Sequence, residues 1–402
     1  MNNSMTAIVA GHVCLDIYPD MSAHPAEQFR ESFAPGRLLM IGPMSLSTGG
    51  AVSNVSLALH RLGIATQGMG KIGNDFTGEA VRQIFTRHSP QMAEAMIVDS
   101  SVTTSYTIVI NPPGMDRIYL HSSGANDTFS ANDVRYDRLA DAQLFHFGYP
   151  PLMKLMYMPD GAQLASIFRR AKATGITTSL DTAFSDPGSA AGQADWQAIL
   201  ELTLPHVDIF MPSIEEILMM LRRPVYEALL RQAGGGDLLP LITPDLLSDL
   251  SDELLRLGSK IVGLKLGYRG LYVRTAGPAS LAELGRARPP SLEGWAGREL
   301  WSPCFKVNLV GAAGSGDATI AGFLSALLRG LPLEQAVTMA VAVGACNVEA
   351  ADTLSGIRPW EQTLERIAAG WQKHPFEPGL PGWRFKPAQQ IWVGPAAPQA
   401  RA

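Results

Sequence analysis

The segment Gly311-Ala-Ala-Gly-Ser-Gly-Asp-Ala-Thr-Ile-Ala-Gly322 carries the strongest chemical signal in the chain. A loop of small residues running into a helix leaves backbone N–H groups free to surround a phosphate oxygen, aided by the helix dipole. Asp317 stands at the beginning of that helix. A pure anion site would avoid a carboxylate there, because it repels phosphate. A phosphoryl-transfer site has a use for one, to take the proton from an attacking hydroxyl. Asp also caps helices well, so the loop alone leaves both readings open.

Two further places have suitable chemistry. Gly49-Gly-Ala-Val-Ser-Asn54 begins with adjacent glycines, which allow unusual backbone angles and close approach of a ligand; Asn54 could bond a hydroxyl. Read alone, this is equally a hinge followed by a helix start. Asp16 follows the first apolar run after Gly11, where open α/β sheets bind ligands, although a lone Asp there is commonly a turn residue.

Short apolar runs alternate with helical stretches in a way that can position such groups. Ala7 to Ala10, Leu144 to Phe147, Ile176 to Leu180, Val207 to Phe210 and Ile261 to Leu266 are expected strands. Val52, Val55, Leu59 and Leu62 recur at helical spacing before Gly63, and residues 161–173, 213–222 and 244–257 read as helices. The alternation argues for a parallel sheet with helices on both faces. Thr104 to Ile110 and Arg117 to His121 flank the turn-rich loop 111–116 and read as a hairpin. After Gly311, Ile320, Phe323, Leu324, Leu327 and Leu328 form one apolar helix face, and Leu333 to Val348 is apolar nearly all round, so buried. Arg222 to Thr243, with Gly234-Gly-Gly236, reads as a loose insertion, and the Pro/Gly/Gln-rich end as an irregular tail.

With 46% hydrophobic and 17% charged residues among 402, the chain can bury a sizeable core. A net charge of −5 and the lack of a long basic run argue against nucleic acid or anionic lipid as partners. Cys14, Cys304 and Cys346 are scattered and odd in number, which fits a reducing cytoplasmic setting better than a disulfide framework or zinc motif. The start of the chain does not read as a signal peptide, and no apolar run reaches the roughly 18 residues of a membrane span.

Taken in order, Gly11-x4-Asp16, Gly49-Gly50 with Asn54 and Gly63, Gly124-Ala-Asn-Asp127, Asp208-Ile-Phe-Met-Pro-Ser-Ile-Glu-Glu216, Leu266-Gly-Tyr-Arg-Gly270 and Gly314-Ser-Gly-Asp317 resemble the ribokinase-like, or PfkB, carbohydrate kinase family, over about residues 6 to 370. The resemblance implies a three-layer α/β sandwich over 1–375, with a mostly parallel sheet, a small β lid from segments 37–48 and 101–122, and a tail at 376–402. It implies transfer of the γ-phosphoryl of ATP to a sugar hydroxyl, with Asp317 as base and the amides of Gly314, Ser315 and Gly316 as anion hole. It places Glu216 near Mg²⁺, Gly267, Gly270 and Asn347 at the nucleotide, and Asp16, Gly49, Gly50 and Asn54 at the sugar. A homodimer through the lid is a further expectation.

Some positions depart from the family pattern. Gly311 and Ala312 replace the usual Asp-Thr, which puts a monovalent-cation site in doubt. Ser213 stands for the Asn of Pro-Asn-x-x-Glu, and Lys265 stands where Thr is common. Lys265 could reach a phosphate or simply be solvated. A dehydrogenase reading through Gly68-Met-Gly-Lys-Ile-Gly73 fails, because no apolar helix face follows that pattern and it lies well beyond the first strand. A non-catalytic sugar sensor on the same scaffold, or a nucleoside kinase of the same family, are the alternatives; a sensor would have no use for Asp317.

Overall fold

Strand Thr6–Gly11 shows how the layers arise. Ala7 and Val9 enter one buried cluster, while Ile8 and Ala10 enter another. A strand apolar on both faces must lie inside a sheet covered on both sides. The structure, a computed structural model, describes residues 6–115, 117–379 and 381–395, so Asp116 of the expected hairpin loop lies outside it.

Ten strands form the large sheet, in the order Arg384–Lys386, Ile391–Val393, Glu299–Ser302, Leu271–Thr275, Ile261–Lys265, Ile209–Phe210, Thr177–Leu180, Leu144–Gly148, Thr6–Gly11 and Ala65–Met69. The half from Ile261–Lys265 to Ala65–Met69 is parallel; the rest is antiparallel. Helices Ala51–Arg61, Ser315–Leu328 and Leu333–Asn347 cover one face; Ala162–Ala173, Trp196–Thr203, Ile214–Leu221 and Pro244–Arg256 cover the other. This is the α/β architecture expected, and no helix among the described residues is long and apolar enough to cross a membrane.

A second sheet of four strands runs Met44–Gly49, Cys14–Pro19, Tyr106–Ile110 and Ile118–Ser122. Asp16, expected in a loop beyond the first strand, lies in its interior strand. The alternation of Leu15 and Ile17 with Cys14, Asp16 and Tyr18 was the available signal. The strand register puts Cys14, Asp16, Thr107, His121 and Ser47 on one face, and Leu15, Ile17, Leu46, Ile108 and Leu120 on the other. Residues 101–105 and 37–43 of the expected lid segments are not strand.

Two expectations are corrected. Residues 223–232 of the supposed loose insertion form a helix with Pro224 in its first turn, and Tyr226, Leu238, Leu239 and Ile242 are buried. The tail is not irregular over 384–393: its two strands extend the large sheet past Glu299–Ser302. Phe376 packs on Trp301 with ring centroids 4.3 Å apart, and Trp383 lies beside it at 6.4 Å. Covering that sheet edge removes a row of unpaired backbone groups, a gain that composition does not display. Gly68 to Gly73 spans two short strands of different sheets, and the next helix, Phe76–His88, is capped by Asp75, so no dinucleotide turn exists there.

Candidate active site

Helix Ser315–Leu328 begins at Gly314, whose φ of 72° lies in the left-handed region, and a Cβ there would come within 2.8 Å of Thr353. Its first-turn amides have no intrahelical acceptor. The Ser315 amide reaches back 3.3 Å to the Ala312 carbonyl, leaving the Gly316 and Asp317 N–H groups as the free donors of that turn. Asp317 is buried. Its Oδ2 accepts hydrogen bonds from Asn54 Nδ2 at 2.9 Å and Tyr149 Oη at 2.7 Å, while Oδ1 is buried with no partner. Burial pushes the Asp317 carboxyl above the usual range; Tyr149, Lys265 and Asn54 pull it back, and Glu216 adds to the rise. A buried carboxylate with one oxygen held and the other bare is suited to accept a proton.

Two clefts meet at this helix start. The larger, about 560 Å³, is mostly apolar and lined by Gly267, Tyr268, Gly270, Phe305, Val341 and Ala345. The smaller, about 360 Å³, is walled by Tyr149, Asp181, Thr182, Glu216 and Asp317. Lys265, Ser315 and Gly316 line both. An apolar slot opening onto free amides, a cation and carboxylates can take a flat base at one end and phosphates at the other.

Lys265 is neither solvated nor free. Its Nζ donates to Asp181 Oδ1 at 2.6 Å. Burial lowers its pKa, but Asp181, Glu216 and Asp317 outweigh that and raise it, so the ammonium stays charged. A Cβ built on Gly316 would lie 3.4 Å from Lys265 Nζ, which places the charge beside the free amides. Glu216 closes a capping box on helix Ile214–Leu221: its Oε2 accepts from the Ser213 amide at 2.8 Å and from Thr182 Oγ1 at 2.7 Å.

The glycine pair is dictated by contact. A Cβ on Gly49 would sit 2.2 Å from Asp16 Oδ2, and one on Gly50, at φ 85°, 2.4 Å from His12 Nδ1. Asp16 is half-buried and accepts from the Cys14 thiol at 3.2 Å; burial raises its pKa. His12 connects the two regions, its ring centroid 5.3 Å from His121 and 6.3 Å from Tyr149. Asn54 thus touches Asp317 directly, Gly49 lies against Asp16 and Gly50 against His12, while none of Asp16, Gly49, Gly50 and Asn54 lines the cleft walled by Asp317. Asn347 stands apart as well: it is buried, donates to the Thr353 carbonyl at 2.8 Å, and is absent from the lining of the apolar cleft. Asn126 clamps the chain after Gly11, exchanging hydrogen bonds with the Val13 amide and carbonyl.

Sequence reasoning missed Tyr149, Asp181, His12 and His121. Tyr149 and Asp181 each directly follow a parallel strand, Leu144–Gly148 and Thr177–Leu180, so the strand-end rule could have found them. Tyr149 also holds a φ of 65°, a conformation that costs a non-glycine residue free energy and marks a constrained site.

Comparison with known proteins gives the family and the fold. The profile of the pfkB family carbohydrate kinases matches residues 13–360. A 2-dehydro-3-deoxygluconokinase of Bacillus subtilis is 24% identical over 350 residues, covering 83% of this chain and 90% of that protein. A fructokinase of Xylella fastidiosa with bound ATP superposes with a TM-score of 0.66 at 18% identity, covering 91% of this chain and 99% of that one. A putative ribokinase II of E. coli in complex with ATP and Mg²⁺ gives 0.65 at 18% identity over the same shares of the two chains. The fold is ribokinase-like.

Proposed function

The chain belongs to the pfkB family of carbohydrate kinases, phosphotransferases acting on hydroxyl groups, and on that premise we propose that it transfers the γ-phosphoryl of ATP to a hydroxyl of a neutral or singly acidic sugar. The observation that carries the reading is the bare Asp317 Oδ1 at the junction of the two clefts. The apolar cleft holds the nucleotide base, with Gly267 and Gly270 in its wall. The amides of Gly316 and Asp317, with the loop Gly314–Ser315, receive the transferred group. Asp317 takes the proton of the attacking hydroxyl, while Asn54 and Tyr149 keep its other oxygen in place. The Lys265 ammonium, fixed at the end of strand Ile261–Lys265, offsets charge on the phosphoryl oxygens beside a loop in which Gly311 and Ala312 offer no side-chain ligands for a monovalent ion.

Glu216 and Asp181 face the smaller cleft, and Asp181 Oδ2 is buried without a partner, so hard oxygen donors suited to Mg²⁺ are present. Glu216 would hold the ion through water, and the bound ion neutralises triphosphate charge.

The lid face over the sugar space carries Asp16, Ser47, Thr107 and His121, hydroxyl-binding groups without a fixed positive charge. Arg117 donates to the Ala351 carbonyl at 2.9 Å. Coupled ADP release over a panel of pentoses, hexoses, keto-acid sugars and nucleosides is expected to show turnover on a neutral or singly acidic sugar, lost on chelation of Mg²⁺. Fructose 6-phosphate or tagatose 6-phosphate outcompeting every neutral sugar would overturn the substrate class. No ADP release with any acceptor, from a folded chain, would favour the sensor.

Tyr149 supplies a pH test. Its hydrogen bond stabilises the Asp317 carboxylate and lowers its pKa, so Tyr149→Phe raises it. A hydrogen bond to a charged group contributes about 1.5–3 kcal/mol, so the acid limb of the kcat profile is expected to move up by about 1–2 pH units. An unmoved limb would separate Tyr149 from the titrating group.

The outer lid face leaves Met44, Leu46, Ile118 and Leu120 exposed on one side of a sheet. A contiguous apolar face of this kind marks an interface, and its occupant is taken to be a second lid. Sedimentation equilibrium should give a dimer that Leu46→Lys with Leu120→Lys dissociates; a monomeric parent chain would refute it.

A further inference from the structure

We propose that His12, Cys14 and His121 form a site for one Zn²⁺-class ion, with three protein ligands and a fourth position for water. It shares His121 and its partner Thr107 with the lid face over the sugar space, and its nitrogen and sulfur donors are distinct from the oxygen donors Glu216 and Asp181. One ligand atom from each of the three residues lies within 4.8 Å of the others. His12 Nε2 and His121 Nε2 face each other at 3.4 Å. Two nitrogens bound tetrahedrally to zinc at 2.0–2.1 Å stand about 3.4 Å apart, so the pair already spans one edge of the site. The Cys14 sulfur lies within 4.8 Å of a ring nitrogen of each histidine, against about 3.5 Å between nitrogen and sulfur on a bound ion.

The surroundings match what such ligands need. Thr107 Oγ1 lies 3.0 Å from His121 Nδ1 and 3.6 Å from Cys14 Sγ. One hydroxyl can thus accept from Nδ1–H, which leaves the Nε2 lone pair bare, and donate to the sulfur. Outer hydrogen bonds of this kind orient metal-binding imidazoles. Binding exchanges S–H for S–metal and releases one proton, with Asp16 Oδ1, the present acceptor of that S–H at 3.2 Å, placed to take it. Two imidazoles and a thiolate suit Zn²⁺ and disfavour Mg²⁺, which prefers oxygen.

The three ligands come from different places. His12 lies in the link after Thr6–Gly11, Cys14 begins the interior lid strand, and His121 is in the lid strand Ile118–Ser122. A bound ion would tie the outer lid to the core beside Gly50. His121 is itself exposed, which leaves an entry path.

Titrating the metal-free full chain with Co²⁺ tests the site without reference to turnover. One equivalent is expected to develop a thiolate-to-cobalt charge-transfer band in the near ultraviolet and the intense visible bands of four-coordinate cobalt, both displaced by Zn²⁺. Cys14→Ser should abolish the charge-transfer band, and His121→Ala the four-coordinate visible spectrum. Thr107→Val should weaken Zn²⁺ binding about 10–100-fold, whereas Cys304→Ser and Cys346→Ser should leave the spectrum unchanged. A parent chain, folded by circular dichroism, that develops no band at one equivalent overturns the proposal; so does a band that survives Cys14→Ser.

Discussion

Asp317→Asn is expected to leave the melting temperature nearly unchanged while kcat falls by about 10²–10⁴, the usual contribution of a positioned base. The geometry makes the exchange a clean one. An amide oxygen at Oδ2 can still accept from Asn54 and Tyr149, and the new amino group takes the place of Oδ1, which has no partner to lose. If Asp317 only capped its helix, Asn would serve nearly as well and both quantities would hold. ATP affinity should be kept or improve, because a negative charge beside the phosphates is gone. More than half the parent kcat in a normally folded variant would refute the assignment of the base, and with it the mechanism.

Lys265→Met should combine two losses that pH and a second substitution can separate. Removing one preorganised charge from the phosphoryl site is expected to lower kcat by about 10²–10³. It also leaves Asp181 buried without its 2.6 Å partner, so stability should fall by up to about 3–5 kcal/mol. Burial already raises the Asp181 pKa, and without Lys265 it rises further. A group with a raised folded-state pKa loses stability as pH rises through that value, so the variant's deficit should shrink on acidification and grow above neutral pH. Adding Asp181→Asn should restore the melting temperature and not kcat. Recovery of both in the double variant would mean that Lys265 serves the fold alone.

The contrast between these two residues shows where sequence reasoning ended. Asp317 was legible because three signals coincide within a few residues: small residues, a helix start and an out-of-place carboxylate. Lys265 carried no such local mark. Only the strand pairing that puts Ile261–Lys265 near the end of Thr177–Leu180 brings it to Asp181 and converts a surface residue into a buried cation.

The alternation of apolar runs with helical spacing was enough to determine the layered α/β class. Strands expected at 7–10, 144–147 and 261–266 occur at Thr6–Gly11, Leu144–Gly148 and Ile261–Lys265, because a strand buried on both faces must be apolar throughout. The glycine pair at 49–50 was visible as well, but not its cause, since the atoms that exclude a side chain belong to Asp16 and His12. The lid was half seen: its hairpin has turn chemistry in sequence, whereas its interior strand Cys14–Pro19 is set by partners some 30 and 90 residues away. The tail was misread because Pro, Gly and Gln dominate it, while Phe376, Trp383 and Trp392 find their value only against Trp301. Local periodicity and turn chemistry are written into neighbouring residues. Which distant side chains share a space depends on strand order and register, and these the tertiary structure decided.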